Sequence, residues 1–466
     1  MSSDSFTLSD ILAVAKVHPF YAADVKYPPD AGAIQAARAQ KDPGHKLTDY
    51  RLVQKKDLYG QIQRLIDDTS PQNTYRRSAY MTITGGGSSS LPMQFAVDVY
   101  ENRRQRYEVG KFIQLCGVGG PDDWVLSTHA SGGFYRSLDL MTELFENAGA
   151  SVLSAGNSMT PRAVTAALIQ YHVNAITGDS SQIIQVVHHI ATLPAPQRKD
   201  IHLNKIVYTS EPLTAPQRAL IRATLGAAVR ICSIMGSAEA GPWAVGNPDL
   251  TGSEDPTGKT MDFIFDTRHM LIEIFSESSV DETTGSVVTD PQSLAPGEPG
   301  LIVQTSLQRL RNPLVRYITG DIGSLHALPD NPRCAAIPAS EREHLRVIRM
   351  HGRDRRFSFK WYGVYFEFET MRALMLDEAC GVLQWQVVLR PSSESQAIAT
   401  LEVRLLRCPQ REEILSDEMF LQRLREFFVI LPENEHLFSV KFLEDLRGFE
   451  RSTTGNKIAN FLDRTQ

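Results

Sequence analysis

One short stretch constrains this chain more than any other: Thr84-Gly85-Gly86-Gly87-Ser88-Ser89-Ser90-Leu91-Pro92, directly after the β-prone run Tyr80-Met81-Thr82-Ile83. Gly85, Gly86 and Gly87 carry no Cβ, so their N–H groups can converge on an anion, and Ser88, Ser89 and Ser90 add hydroxyl donors at little steric cost. The same composition also suits a flexible linker. A linker, however, separates two blocks of different composition, whereas this stretch interrupts what reads as the body of an α/β domain. It is therefore read as a phosphate loop.

The flanking pattern supports that placement. Residues 6 to 70 form a helical lead-in containing Ile11-Leu12-Ala13-Val14-Ala15, His18-Pro19-Phe20-Tyr21 and Lys56-Asp57-Leu58-Tyr59. From about 110 to 236, short apolar runs have strand length and β-branched content: Phe112–Leu115, Ala150–Leu153, Val173–Ile176, Lys205–Tyr208 and Val229–Cys232. Between them, Phe134, Leu138, Met141 and Phe145 share one helical face, Thr160-Pro161 opens a helix carrying Val164, Leu168 and Tyr171, and Thr214 with Pro216 opens another that ends at Gly226. Strand and helix in alternation mean a parallel sheet covered by helices, with ligands at the carboxyl ends of the strands.

From about 262 the texture becomes antiparallel. Met270–Phe275, a turn at Thr284-Gly285, Pro296–Gly300 and Leu301–Thr305 read as an antiparallel sheet or small barrel. A second transition near Met350-His351-Gly352-Arg353 leads into mixed α+β patterns, such as Leu401–Leu406 and a helix around Phe420 to Phe428. The expected class is thus α/β: a large N-terminal domain over 1–349, with its β-rich part over 262–349, and a small α+β domain over 350–466.

Composition excludes several functions. The length of 466 residues is more than one compact core usually holds, and 42% hydrophobic with 22% charged residues is ordinary for a globular protein. With a net charge of −6 and no Lys/Arg-dense block, neither nucleic acid nor an anionic membrane is the expected partner. Cys116, Cys232, Cys334, Cys380 and Cys408 are scattered, with no metal-ligand or CxxC spacing. No apolar run has transmembrane length and Met1–Ser5 lacks the regions of a signal peptide, so a cytoplasmic location is expected.

Four further stretches carry candidate chemistry. Met235-Gly236-Ser237-Ala238-Glu239-Ala240-Gly241 follows a predicted strand, which would deliver Glu239 to the sheet's carboxyl edge, where a carboxylate can hold Mg2+ on a phosphate. Tyr317-Ile318-Thr319-Gly320-Asp321 ends in an Asp after a glycine turn; Gly352-Arg353-Asp354-Arg355-Arg356 is a basic turn; Arg451–Lys457 is a glycine-containing loop with a lysine. Taken singly, each reads first as a solvated loop or turn. The imitation of a nucleotide loop at Gly252–Thr260 is set aside, because its glycine spacing is too long, it carries Glu254 and Asp255 and it follows no apolar strand. Neither a G-x-S-x-G elbow nor an HExxH helix occurs.

Taken jointly, the order and spacing of these stretches are far more specific. The chain resembles the adenylate-forming superfamily of acyl-CoA synthetases, luciferases and peptide-synthetase adenylation domains, and within it most closely the phenylacetate-coenzyme A ligases. The resemblance runs nearly end to end. It takes in His18–Tyr21, Lys55–Leu58, the glycine loop, Gly156-Asn157-Ser158, Ser210-Glu211-Pro212-Leu213 and Ser237–Pro242, then Thr305-Ser306-Leu307, Asn312–Tyr317, Thr319-Gly320-Asp321, Gly352-Arg353 and Gly455-Asn456-Lys457.

The resemblance implies a two-step ligase in which a carboxylic acid attacks the α-phosphate of ATP, releasing pyrophosphate, and a nucleophile then displaces AMP. It implies that Gly85 to Ser89 cradle phosphate, that Glu239 helps hold Mg2+, and that Lys457 sits between the carboxylate and the α-phosphate. Ser210, Glu211, Pro212 and Met235 would border the adenine alongside Gly236, Ser237 and Ala238. Asp321 would accept hydrogen bonds from the ribose, with Arg353 close by. The acid pocket would be lined by His129, Ala130, Ser131, Gly132, Phe134, Gly241 and Pro242. The C-terminal domain would close for adenylation and swing about a hinge near Asp354-Arg355. The family alone suggests a homodimer.

Departures from the family pattern bear on chemistry. Ser90 and Leu91 stand where the loop usually has a later Gly and a Lys; Ala238 replaces a hydroxyl residue, leaving Ser237 and Ser88 to substitute; Met235 replaces an aromatic. The stretch His129–Phe134 lacks the aromatic residue expected before its glycines, so a flat apolar ring such as phenylacetate is not the expected substrate. Three readings remain: acyl transfer to coenzyme A, which leads; amide formation with an amine acceptor; and a nucleotide- or acyl-binding relative of weak activity.

Overall fold

The computed structural model describes residues 6–40, 44, 46–83, 94–132, 134–210, 212–252, 260–280, 287, 291–353, 358–362, 364–391, 399–409, 414–451 and 457–465. The glycine loop with Gly85 to Ser89, Glu211 and the hinge expected at Asp354-Arg355 lie outside the described residues.

Two strands, β1 (Ala79–Ile83) and β2 (Gln94–Asp98), pair antiparallel, and their last pair, Ile83 with Gln94, holds the two ends of the glycine loop together. Five strands follow in parallel: β3 (Trp124–Ser127), β4 (Ser151–Ser154), β5 (Ala175–Asp179), β6 (Lys205–Thr209) and β7 (Arg230–Ser237). Then β8 (Gly241–Gly246), β9 (Met261–Asp266), β10 (Met270–Phe275), β11 (Gly300–Ser306), β12 (Tyr317–Ala327) and β13 (Leu345–Arg353) pair antiparallel. All of β3 to β13 belong to one sheet, in the order β10-β11-β12-β13-β9-β8-β7-β6-β5-β3-β4. The antiparallel segment expected from the sequence is therefore continuous with the parallel one, joined through the β7–β8 hairpin.

Local sequence explains the elements. β5 is buried at every position, as a parallel strand covered on both faces must be. Thr160 and Thr214 each accept a backbone N–H at N3 through their hydroxyls, and the prolines that follow occupy positions where no intrahelical N–H is needed. One expected strand is a helix: Phe112–Leu115 forms the last turn of the helix Val99–Leu115. Val109, Phe112, Ile113 and Cys116 recur at helical spacing and are buried together against Leu144 and Phe145, a period that a four-residue window hides. Phe134 likewise stands outside the helix Ser137–Asn147 and is 80% exposed.

A smaller sheet has the order Phe438–Phe442, Ala399–Arg407, Val382–Pro391, Phe461–Asp463, and is packed by the helix Asp417–Phe427 around Val387, Val403, Phe420 and Phe428. It is docked onto the large sheet's helices. Leu383, Leu406, Leu446, Phe449 and Ile458 share a core with Ile183, Ile184, Leu220 and Ile221. The Gln217 side-chain amide donates to the Leu383 carbonyl across that junction. No helix among the described residues is long and apolar enough to cross a membrane.

Candidate active site

At the carboxyl end of β7 the chain makes a tight hairpin into β8. A Cβ on Gly236 would lie 2.8 Å from the Gly241 carbonyl oxygen and 2.9 Å from Pro242 Cα, a backbone approach only glycine permits. The Ala240 N–H donates to Ser237 Oγ (3.0 Å), so Ser237 spends its hydroxyl on the turn. Glu239 thereby points inward: it is 6% exposed and accepts a hydrogen bond from the Tyr317 hydroxyl at 3.2 Å. Thr82 Oγ1, two residues before the glycine loop, donates to the Ala238 carbonyl at 3.0 Å. The entrance to the loop and the Glu239 turn are thus one local structure.

Asp321 and Arg353 are placed together by strand register, facing each other across β12 and β13. Thr319 Oγ1 donates to the Ile302 carbonyl and accepts the Asp321 N–H (3.1 Å each), which fixes the backbone that carries the carboxylate. Ser210 follows β6 directly and has φ +80°, a left-handed conformation that turns the chain out of the sheet edge. Pro212 is exposed beside it, and Met235 is half-buried at the end of β7.

The third part of the site is built around His129. Its ring is buried, with Nε2 3.0 Å from Thr177 Oγ1 and Nδ1 2.9 Å from Ser137 Oγ. Burial, aided by the charge of Lys457, pushes the imidazole down to about 3, so it is neutral at physiological pH. Ala130 is buried next to it, whereas Ser131 and Gly132 are exposed. Gly132 and Tyr135 exchange backbone hydrogen bonds of 3.1 and 2.9 Å, and the Lys457 ammonium lies 5.3 Å from the centre of the Tyr135 ring. That is cation–π range. Lys457 of the small sheet's region is therefore delivered onto the wall formed by His129 and Tyr135, while Phe134 points to solvent.

Sequence reasoning missed Tyr135 and gave Tyr317 no role. Tyr317 stood inside the motif that marks the resemblance, a usable signal; Tyr135 only follows the mismatched stretch. Among the described residues no group of three His, Cys, Asp or Glu side chains could enclose a metal ion. Mg2+ carried by a nucleotide needs only one or two protein carboxylates beside the phosphates, and the inward Glu239 fits that donor set.

No protein-family model matches the chain. Over 104 residues it is 32% identical to the indoleacetate–lysine synthetase of Pseudomonas savastanoi, a match spanning 22% of this chain and 25% of that protein. The chain thus matches about a quarter of this curated relative. Among solved structures, a 2-hydroxyisobutyryl-CoA ligase in its postadenylation state superposes with a TM-score of 0.59 over 97% of this chain and 87% of that one, at 15% identity. The fold is that of this CoA ligase. The same ligase in its thioesterification state, bound to an acyl-AMP and CoA, gives 0.53 over the same shares at 15% identity. At such identity the likeness is one of fold.

Proposed function

We propose that the chain is an ATP-dependent carboxylic acid ligase that forms an acyl-adenylate and passes the acyl group to coenzyme A. The observation that carries this reading is the docking of Lys457, from the small sheet's region, over Tyr135 and beside His129 of the large one; the β1 end tied to the Glu239 turn and the Asp321–Arg353 register pair accompany it. A binding module has no need of a lysine brought in from a second sheet.

The chain's own groups account for the steps. Two anions must meet, so the carboxylate of the acid and the α-phosphate need a cation between them, and Lys457 supplies it in a site with few mobile dipoles. Mg2+ held at Glu239 would supply charge neutralisation on the phosphates. Neutral His129 presents no competing positive charge to Lys457. Asp321 would accept the ribose hydroxyls, and Arg353 on the facing strand would balance it. For the second step Lys457 must leave, which the small docked core of Leu383, Leu446 and Ile458 allows without unfolding either sheet. The proposed moving units divide after Arg353, where β13 of the large sheet ends, rather than at the boundary of 349 and 350 expected from the sequence.

A second acceptor is favoured by one finding. The relative that matches over 104 residues is by name a synthetase joining indoleacetate to lysine. An amine would then replace the thiol of coenzyme A. The test is to incubate the protein with ATP, Mg2+ and a panel of aryl, aliphatic and amino acids, with coenzyme A or lysine as acceptor, and identify products by mass. A thioester supports the leading reading; an amide with no thioester transfers the proposal to the amine; neither product, with no AMP released, removes both.

A further inference from the structure

Arg309 is 2% exposed, and its Nε and Nη1 have no hydrogen-bond partner among the described residues. Its neighbours in sequence are not built this way. Arg311 donates to Asp98 and to the Thr74 carbonyl, and Arg316 to both oxygens of Glu273 and to the Tyr50 carbonyl. A buried guanidinium with unfilled donors costs free energy unless something satisfies it.

The guanidinium lies beside the turn that carries Gly241. A Cβ on Gly241, a residue expected in the acid pocket, would fall 2.7 Å from Arg309 Nη2 and 2.4 Å from Gln105 Oε1. Gln105 Nε2 is already committed to the Ala240 carbonyl (2.8 Å) and to Gln308 Oε1 (3.0 Å). Tyr80, close enough to act electrostatically on Arg309, receives a hydrogen bond from Arg106 and carries Arg136 over its ring at 4.1 Å. Arg106 and Arg136 are both paired with Asp139. The acid nearest in charge to Arg309, Glu101, gives its oxygens to the Leu310 and Arg311 N–H groups, and burial pushes it up to about 7. Glu101 therefore leaves the guanidinium's charge only partly balanced near neutral pH.

We propose that Arg309 is a specificity residue of the acid pocket, receiving a second carboxylate at the distal end of the substrate, so that the preferred acids are dicarboxylic. The inference rests on the ligase reading for what happens to the first carboxylate, but the recognition itself is a binding property. A guanidinium meets a carboxylate by charge-assisted hydrogen bonds, which an alkyl or aryl end cannot accept.

The test is calorimetric titration of the full-length protein, with Mg2+ and a non-reactive ATP analogue, using pairs of equal length: butanoate and succinate, hexanoate and adipate, octanoate and suberate. In at least one pair the dicarboxylate binds about tenfold or more tightly than the monoacid. In Arg309→Met that ratio falls to within about threefold of unity, and Arg309→Lys, which keeps the charge but not the fork, lies between. No preference in any pair, or a preference retained in Arg309→Met, overturns the proposal; if Arg309→Met lacks a cooperative melt, the wild-type pairs and Arg309→Lys decide it. Pyrophosphate exchange with the same acids separates the two readings. A dicarboxylate preference without exchange keeps the pocket and removes the ligase, whereas exchange with monoacids and no preference does the reverse.

Discussion

Glu239 and Lys457 are secured by different means. Glu239 is held at its own hairpin: glycine at 236, the Ser237 hydroxyl on the turn, the Thr82 tie from the β1–β2 ribbon and the Tyr317 hydroxyl all bear on the β7–β8 turn. Lys457 has a place only because five apolar side chains of the small sheet's region dock on two helices of the large one. A carboxylate that must serve every step belongs on rigid structure, and a cation needed for one step belongs on a surface that can let go. Under the proposed ligase reading, the difference in attachment is a difference in when each group acts.

The largest expected effect breaks that comparison on the mobile side. Lys457→Ala slows adenylation by about 10²–10³, as for loss of a positioned transition-state donor, while acyl transfer from a synthetic acyl-adenylate stays within about tenfold of wild type. Equal losses in both half-reactions, measured separately, would show that Lys457 does not leave.

Next comes pH. Burial lowers both His129, on the Lys457 wall, and His18, whose Nδ1 accepts the Phe20 N–H and whose Nε2 donates to Asn312, to about 3. Each folded value lies below the unfolded 6.5, so the unfolded chain binds more protons as the medium acidifies. The stability contribution is whole above that value and is lost as pH falls from it toward 3; by pH 5 each histidine costs about 2 kcal/mol. Denaturant melts between pH 7.5 and 5 check the slope, and His129→Gln should remove about half of it. An unchanged slope in that variant would place His129 in a wetter site.

A smaller effect sharpens the rigid side. Gly236→Ala forces a methyl against the backbone of Gly241 and Pro242 and should cost about 1–3 kcal/mol of stability. Adenylation should fall with it, since the turn carries Glu239. Smallest is Tyr317→Phe, which removes one hydrogen bond to the carboxylate and should cost about 1 kcal/mol, read as a roughly fivefold rise in the Mg2+ concentration needed for half-maximal exchange. No change there would mean Glu239 is oriented by its backbone alone.

How far the sequence carried the account depends on the range over which each feature is encoded. The caps at Thr160 and Thr214 and the strands β4 to β7 are local, and alternation of apolar runs with capped helices shows them directly. Phe112–Leu115 was misread because four residues cannot distinguish a buried strand from a helix's last turn. Glu239, Asp321 and Lys457 were singled out together as site residues through the order of several motifs at once, and their roles stand as proposals. The Tyr317–Glu239 bond joins residues 78 positions apart, and Tyr135 meets Lys457 across two sheets, so no period or spacing announces either. Arg309 is the extreme case: as one arginine in a segment with several, only its missing partners distinguish it.

The most direct test of the central claim is acid-dependent exchange of pyrophosphate into ATP, with hydroxylamine present in a parallel sample to trap the activated acid. The account predicts exchange and a hydroxamate with at least one acid of the panel, both needing Mg2+ and both depressed in Lys457→Ala. Binding of ATP without exchange, and no hydroxamate with any acid, would contradict it and leave the fold as a nucleotide-binding scaffold.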